Sequence, residues 1–427
     1  MSLWAFRFLL FYICILCVQP QNRFVFLHPL RIANAAIILS LLFHLLAVSQ
    51  EGKRFIRMGP ATITALILLL ASIISLYTGP WQADSSWNAN SDLIFKSCIV
   101  IIMVEAMAYN VQRVWAVLTA LMLATLWWIK GGLRLVAAGA TYQGDRIMGP
   151  AVSLIENPNG FAYMMTVMIP LYLYFFQKAQ NRWLRWGFLF LALSGTYITL
   201  ETGSRTGVVA LFAVALFLLP KYGAKRKGTL ALIGVVVFTL FSYLSPGNIE
   251  RFKTIPESAR KFFSGVEEDA YQSVMTMDEQ SAWERKMKNK HTWALIMDFP
   301  LFGVGVNADI GAYLDWDKMP YAYGDVHNEL LFAGRQMGFI GMGLYLTLLG
   351  IILRMGWRAQ RVAKGWWSAA EDLGWTLKMQ GIVFLVGGFF SPLPWNPIFM
   401  ILAGCASALA YNLKTGAYSA SQPGENG

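Results

Sequence analysis

Long apolar blocks recur along this chain, each near the roughly 20 residues that span a bilayer as a helix, and short polar stretches separate them. Read by apolar run, they predict twelve membrane helices, at 3–18, 29–49, 60–78, 93–110, 113–130, 158–177, 184–201, 206–220, 229–245, 328–353, 376–391 and 395–412. No internal repeat is visible. One polar interruption, residues 246–326, is far longer than the others. Backbone polar groups in lipid must be satisfied within each segment, so apolar runs of this length form helices. The expected fold class is an all-α polytopic membrane protein with about twelve transmembrane helices and a large, partly helical loop between helices 9 and 10. Residues 1–245 then carry helices 1–9, and 246–326 form the loop with an amphipathic helix. Residues 327–415 carry helices 10–12, and 416–427 a disordered polar tail.

Composition agrees. Of 427 residues, 56% are hydrophobic and only 14% charged, against about 25% charged in a soluble domain. The net charge of +11 does not point to nucleic acid, because most basic residues sit in short loops rather than on a basic, aromatic-rich face. Their distribution instead sets orientation. Loops on the side of both termini carry 16 Lys and Arg, and the short loops opposite carry 6. Both termini are therefore expected in the cytoplasm and the long loop outside, in the periplasm if the membrane is a bacterial inner membrane. The four cysteines (Cys14, Cys17, Cys98, Cys405) lie within apolar runs and read as small apolar filler. The first apolar run lacks a small-residue cleavage site, unlike a signal peptide.

Three places on the outward side stand out. The first is the loop containing Arg146, which leads into Asn157-Pro158-Asn159-Gly160, a turn-forming stretch that opens segment 6. The second is the hairpin Gly203-Ser204-Arg205-Thr206-Gly207 between segments 7 and 8. Arg205 there reads either as an interfacial arginine snorkelling to headgroups or as an anion site, helped by Ser204, Thr206 and the helix-start N–H groups. The third is the long loop, where helical periodicity puts Trp283, Met287, Trp293, Ala294 and Met297 on one side. Arg285, Lys288 and Thr292 share the other side, either meeting lipid headgroups or binding the same anion as Arg205; spacing does not choose between the two.

His327 follows Gly324-Asp325 and precedes Asn328-Glu329 where segment 10 begins. An isolated histidine is more often structural than catalytic, yet a near-neutral base at a lipid–water boundary suits deprotonation of a hydroxyl. Asp315-Trp316-Asp317 is a D-x-D, the pattern of some metal-binding loops, but two alternate carboxylates are common by chance. The outward face thus offers arginines, one well-placed histidine and no persuasive metal cluster; no metal and no cofactor is expected. That set fits transfer from a lipid diphosphate. A diphosphate leaves without a general acid, arginines neutralise its charge, and a histidine activates the acceptor hydroxyl.

At these same places the chain resembles the O-antigen ligase superfamily of membrane glycosyltransferases, which includes O-antigen ligases, O-antigen polymerases and bacterial protein O-oligosaccharyltransferases. The matching pieces are Gly203–Gly207, Glu284-Arg285 leading through Trp293 to Pro300-Leu301-Phe302-Gly303-Val304-Gly305, and His327-Asn328. The stretch from Arg146 to Asn159 also resembles the opening of the family's sixth helix, so the similarity covers roughly 146–341. It implies metal-independent, inverting transfer of a glycan from undecaprenyl diphosphate to a hydroxyl, the lipid A–core in an O-antigen ligase. Carried over, Arg205, Arg285 and Arg146 hold the donor diphosphate and His327 activates the acceptor. Ser204, Thr206, Lys288, Asn328 and Tyr323 are supporting candidates, Tyr323 in the aromatic turn that would wall the sugar or acceptor site. Partners are the lipid-linked donor, the hydroxyl acceptor and membrane lipids. One position departs: where family members often carry a glutamate nine residues after the histidine, this chain has Gln336. The competing class is a transporter or flippase, which would usually show two related halves with a large loop between helices 6 and 7; this chain shows neither.

Overall fold

The computed structural model describes residues 1–22, 24–27, 29–52, 55–80, 89–139, 146–150, 155–222, 244, 246–253, 277–308, 326–391 and 394–416. These residues form thirteen α-helices, with two short 3-10 turns and no strand among them. In chain order they are α1 (Ser2–Val18), α2 (Ile32–Glu51), α3 (Pro60–Thr78), α4 (Ala89–Met107), α5 (Val111–Ala137), α6 (Pro158–Lys178) and α7 (Arg182–Glu201). There follow α8 (Arg205–Tyr222), α9 (Pro246–Lys253), α10 (Met277–Asp298), α11 (Glu329–Ala363), α12 (Ser368–Gly388) and α13 (Pro397–Thr415).

Six of these helices, α2, α3, α5, α6, α11 and α13, are long and apolar enough to cross a membrane. The protein is a helical membrane protein. Six is fewer than the twelve segments expected from apolar runs. α1 falls just short of the length required of a span, and α8 is a shorter apolar helix. The segment at 229–245, apart from Leu244, lies outside the described residues, as does the tail from 417.

Burial separates inner helices from outer ones. Every residue of α6 from Gly160 to Tyr172 is buried, as is every residue of α13 from Pro397 to Ala410. A helix apolar on all sides belongs inside a bundle. α2, α3 and α8 instead keep large apolar side chains outward, among them Ile38, Leu42, Ile67, Leu70, Phe212 and Leu216. In a bilayer such residues face lipid tails and need no further partner. Several polar groups between helices are paired: Ser40 Oγ donates to Ala5 O at 2.8 Å, Trp128 Nε1 to Cys17 O at 2.8 Å, and Thr125 meets the Tyr172 hydroxyl at 2.8 Å. Cys17, Cys98 and Cys405 are buried free thiols packed as apolar filler.

α11 is interrupted at Met337 and Gly338, whose backbone leaves the helical region; Gly338 has φ 61°. The loop after α10 docks in this break. Phe339 N donates to Pro300 O at 2.7 Å and Val304 N to Arg335 O at 2.9 Å. A Cβ on Gly338 would lie 2.3 Å from Pro300 O, and one on Gly303 would lie 2.4 Å from Arg335 O. The glycines of the Pro300–Gly305 motif are therefore there for close backbone approach and positive φ. Gly338→Ala is expected to lose stability beyond the roughly 1–3 kcal/mol of a strained residue, since backbone must also move. A clear fall in the thermal midpoint of the detergent-solubilised protein checks this.

Candidate functional site

The hairpin between α7 and α8 is built from its own hydroxyls. Thr202 Oγ1 donates to Thr199 O at 2.6 Å and accepts from Ser204 N at 3.2 Å. Ser204 Oγ accepts from Gly207 N at 3.2 Å, capping α8. Ser204 is thus occupied in setting up the helix start, while Arg205 stands half-buried at its first position and Thr206 is buried behind it. Gly203 has φ +61°, and a Cβ there would sit 2.2 Å from Asn248 Oδ1 and 3.1 Å from Arg146 Cγ. Two other pieces of chain therefore close on this glycine.

One is α9, through Asn248, whose side-chain amide donates to Glu201 O at 3.0 Å. The other is Arg146. It is buried; its Nε donates to Thr202 O at 2.9 Å and its Nη2 to Asn159 Oδ1 at 3.0 Å. Arg146 thereby ties the hairpin to the first turn of α6, where Asn157 Oδ1 accepts from Gly160 N at 2.6 Å as the cap. These bonds give Arg146 a scaffolding role as well as a charge at the hairpin.

α8 reaches α6 directly. A Cβ on Gly207 would lie 2.8 Å from Ala162 Cβ and 2.8 Å from Thr199 Cγ2, so the helices touch where the glycine omits a side chain. The next residue of α6, Tyr163, faces the start of α11: its hydroxyl lies 3.4 Å from Glu329 Oε2. His327 is half-buried two residues earlier, and Asn328 Oδ1 caps α11 by accepting from Leu331 N at 3.0 Å. Asn159, Ala162 and Tyr163 thus connect, in turn, to Arg146, to the Arg205 helix start and to the His327 turn. All three candidates hang on the first turns of one buried helix, at one end of the bundle.

Arg285 enters from another direction. It lies half-buried in the N-terminal half of α10, with Lys288 also half-buried. α10 packs on α11 at its other end, where a Cβ on Gly334 would lie 2.6 Å from Ile296 Cδ1 and where Trp293 meets Phe339 edge-on at 6.1 Å. The orientation of α10 corrects the expected apolar face. Thr292, Leu295 and Ile296 are buried, whereas Trp293 is 44% and Met297 55% exposed. The expected apolar stripe is therefore split: Trp293 and Met297 look outward, Met287 is buried and Trp283 and Ala294 are half-buried, while Thr292, grouped with the cations, looks inward. Periodicity found the two sides of the helix but could not say which one the protein covers.

Gln336 is buried, and its side chain is held at both ends: Trp395 Nε1 donates to Oε1 at 2.7 Å, and Nε2 donates to Val306 O at 3.4 Å. Its own carbonyl accepts from Ser75 Oγ at 2.6 Å. An amide suits this place because it accepts and donates at once. Gln336 is a structural tie between α11, α3, the Pro300 loop and the start of α13.

Sequence reasoning assigned no role to Glu329, Asn248, Arg335 or the tyrosines at 163 and 345. Arg335 is buried, with its guanidinium 4.7 Å from the Phe332 ring. Glu329 and Arg335 carried a signal, since an ionisable residue at the edge of an apolar segment is costly. The tyrosines carried none in so aromatic a chain. Among the described residues no group of three His, Cys, Asp or Glu is placed to hold a metal ion. Asp315, Asp317 and Tyr323 lie outside the described residues.

Residues 190–346 match a family model described as O-antigen ligase, a stretch that holds Arg205, Arg285, the Pro300–Gly305 motif and His327. Residues 4–180, including Arg146, match a model described as a family of unknown function. No curated protein matches the chain.

Proposed function

From the match of residues 190–346 to the O-antigen ligase family model, we propose that the chain is a member of the O-antigen ligase superfamily and transfers a glycan from undecaprenyl diphosphate to an acceptor hydroxyl. The observation that carries this reading is the attachment of Arg146, the Arg205 helix start and the His327 turn to the first turns of α6, through Asn159, Ala162 and Tyr163. Cations and a base at one end of a membrane bundle are what a lipid-diphosphate donor requires.

In the proposed reaction the acceptor hydroxyl oxygen attacks the anomeric carbon of the donor sugar. Its proton goes to His327, and the bond from that carbon to the diphosphate oxygen breaks in the same step. One displacement inverts the anomeric centre. The lipid diphosphate leaves as an anion held by Arg205 and Arg285, with Arg146 keeping the hairpin closed and adding its charge. Pre-set cations acting where charge develops stabilise such a transition state strongly in a poorly solvated site. No metal is invoked.

The acceptor we propose is the lipid A–core of lipopolysaccharide, with polymerisation of glycan-lipids and protein O-glycosylation as the related alternatives. With about twelve spans, both termini cytoplasmic and the loop of 246–326 in the periplasm, the site faces outward from a bacterial inner membrane; the Lys and Arg distribution supports this orientation.

The deciding experiment offers the purified protein a lipid-diphosphate glycan together with lipid A–core, a second glycan-lipid or a protein. The lipid A–core is expected to gain the mass of the glycan. Mass gain by another acceptor moves the chain to that branch, and none by any removes the reading. The same assay with a metal chelator is expected to run at an unchanged rate; lost activity that returns with a divalent cation would bring in Asp315 and Asp317.

A further inference from the structure

Glu329 follows His327 by two residues, the reaction above has no use for it, and it is 1% exposed. Burying a carboxylate is unfavourable unless it is well hydrogen-bonded. Tyr345, 16 residues further along α11 and beyond its break at Met337 and Gly338, donates its hydroxyl to Oε2 at 2.6 Å. Tyr163 of α6 brings a second hydroxyl to the same oxygen at 3.4 Å and lies 3.3 Å from Phe384 O of α12. α12 makes room by omitting a side chain: a Cβ on Gly388 would sit 2.6 Å from the Tyr345 hydroxyl and 2.8 Å from Glu329 Oε2. Three helices therefore meet at one carboxylate in the first turn of α11, where the helix dipole also favours negative charge.

Stability alone does not call for this arrangement, because well-packed apolar side chains commonly hold such a place as well or better. Directional bonds to one oxygen add something that apolar packing does not, a fixed rotation and height for the turn. We propose that Glu329 is a positioning residue: through Tyr163 and Tyr345 it pins the first turn of α11 to α6 and α12, and so sets where His327 stands. The proposal rests on the reading of His327 as the base that activates the acceptor.

The test uses the full-length protein in detergent or nanodiscs, with kcat and the KM for lipid-linked donor measured separately. Glu329→Gln keeps an acceptor oxygen for both hydroxyls and is expected to run near the parent rate. Glu329→Leu fills the space without accepting and is expected to lose about 10²-fold in kcat, the cost of a misplaced catalytic group, with KM for donor unchanged. Tyr345→Phe is expected to fall between them and to add nothing in the Glu329→Leu background, since both act through one contact. Gly388→Ala leaves all three polar groups in place but intrudes on them, and is expected to show the same loss in kcat. Parental kcat in Glu329→Leu overturns the proposal, as does a Gln variant as slow as the Leu variant. So does a loss that tracks only the folded fraction. If the Leu variant does not fold, Gly388→Ala and Tyr345→Phe decide, and parental kcat in both overturns it. His327→Ala run in parallel separates the two ideas: activity there ends the reading of His327 as base, whereas an inactive His327→Ala beside a fully active Glu329→Leu ends only this one.

Discussion

Replacing His327 by alanine is expected to lower glycan transfer by about 10²–10⁴-fold, the usual worth of a positioned general base, while donor binding stays close to normal. The structure makes the variant informative. His327 is half-buried and stands outside the helix it precedes, while the start of α11 is capped by Asn328 and anchored by Glu329. Removing the imidazole takes away a proton acceptor and leaves that cap and that anchor in place. The measurement is the initial rate with saturating donor and acceptor, alongside the KM for donor. A near-normal rate removes His327 from the chemistry, and a changed donor KM with an unchanged rate makes it a binding residue instead.

Arg205→Ala is expected to cost about 10²–10³-fold in turnover, the scale of losing one preorganised group that meets developing charge. Here too named parts of the scaffold stay in place when the side chain is removed. The hairpin is held by Thr202, by the Ser204 cap and by the contact of Gly207 with Ala162, none of which uses the guanidinium of Arg205. Arg205→Lys is expected to recover only part of the loss, because an ammonium cannot make the paired contact of a guanidinium with phosphate oxygens. Arg285→Ala is expected to behave alike. If both arginines hold one diphosphate, the double variant loses less than the sum of the two single losses in free energy. Full additivity, or normal turnover in either single variant, would separate Arg285 from the donor site.

Much of this was legible beforehand. Apolar runs gave the helical membrane class because a run of about 20 residues in lipid satisfies its backbone polar groups within one helix. The pieces around Arg205, Arg285 and His327 pointed to the family whose model matches residues 190–346. Two features resisted. α10 carries its apolar side chains on one side, but in a protein between water and lipid that side can face inward or outward. Exposed Trp293 and Met297 beside buried Met287 show that it does some of each. Gln336 looked like a lost acidic group; its bonds to Trp395 and Val306 show an amide fitted to a donor and an acceptor from distant parts of the chain.

The division follows from range. Helix formation and membrane insertion depend on side chains close together along the chain, and so do caps such as Asn157, Ser204 and Asn328, so the sequence by itself determined the class, most helices and the candidate residues. Which helix lies innermost, and which side chains share one end of the bundle, depends on contacts between residues far apart in the chain. Asn159, Ala162 and Tyr163 of α6 meet Arg146, Gly207 and Glu329 because small residues let buried helices approach and polar groups in a dry interior must pair. Only the tertiary structure could decide that.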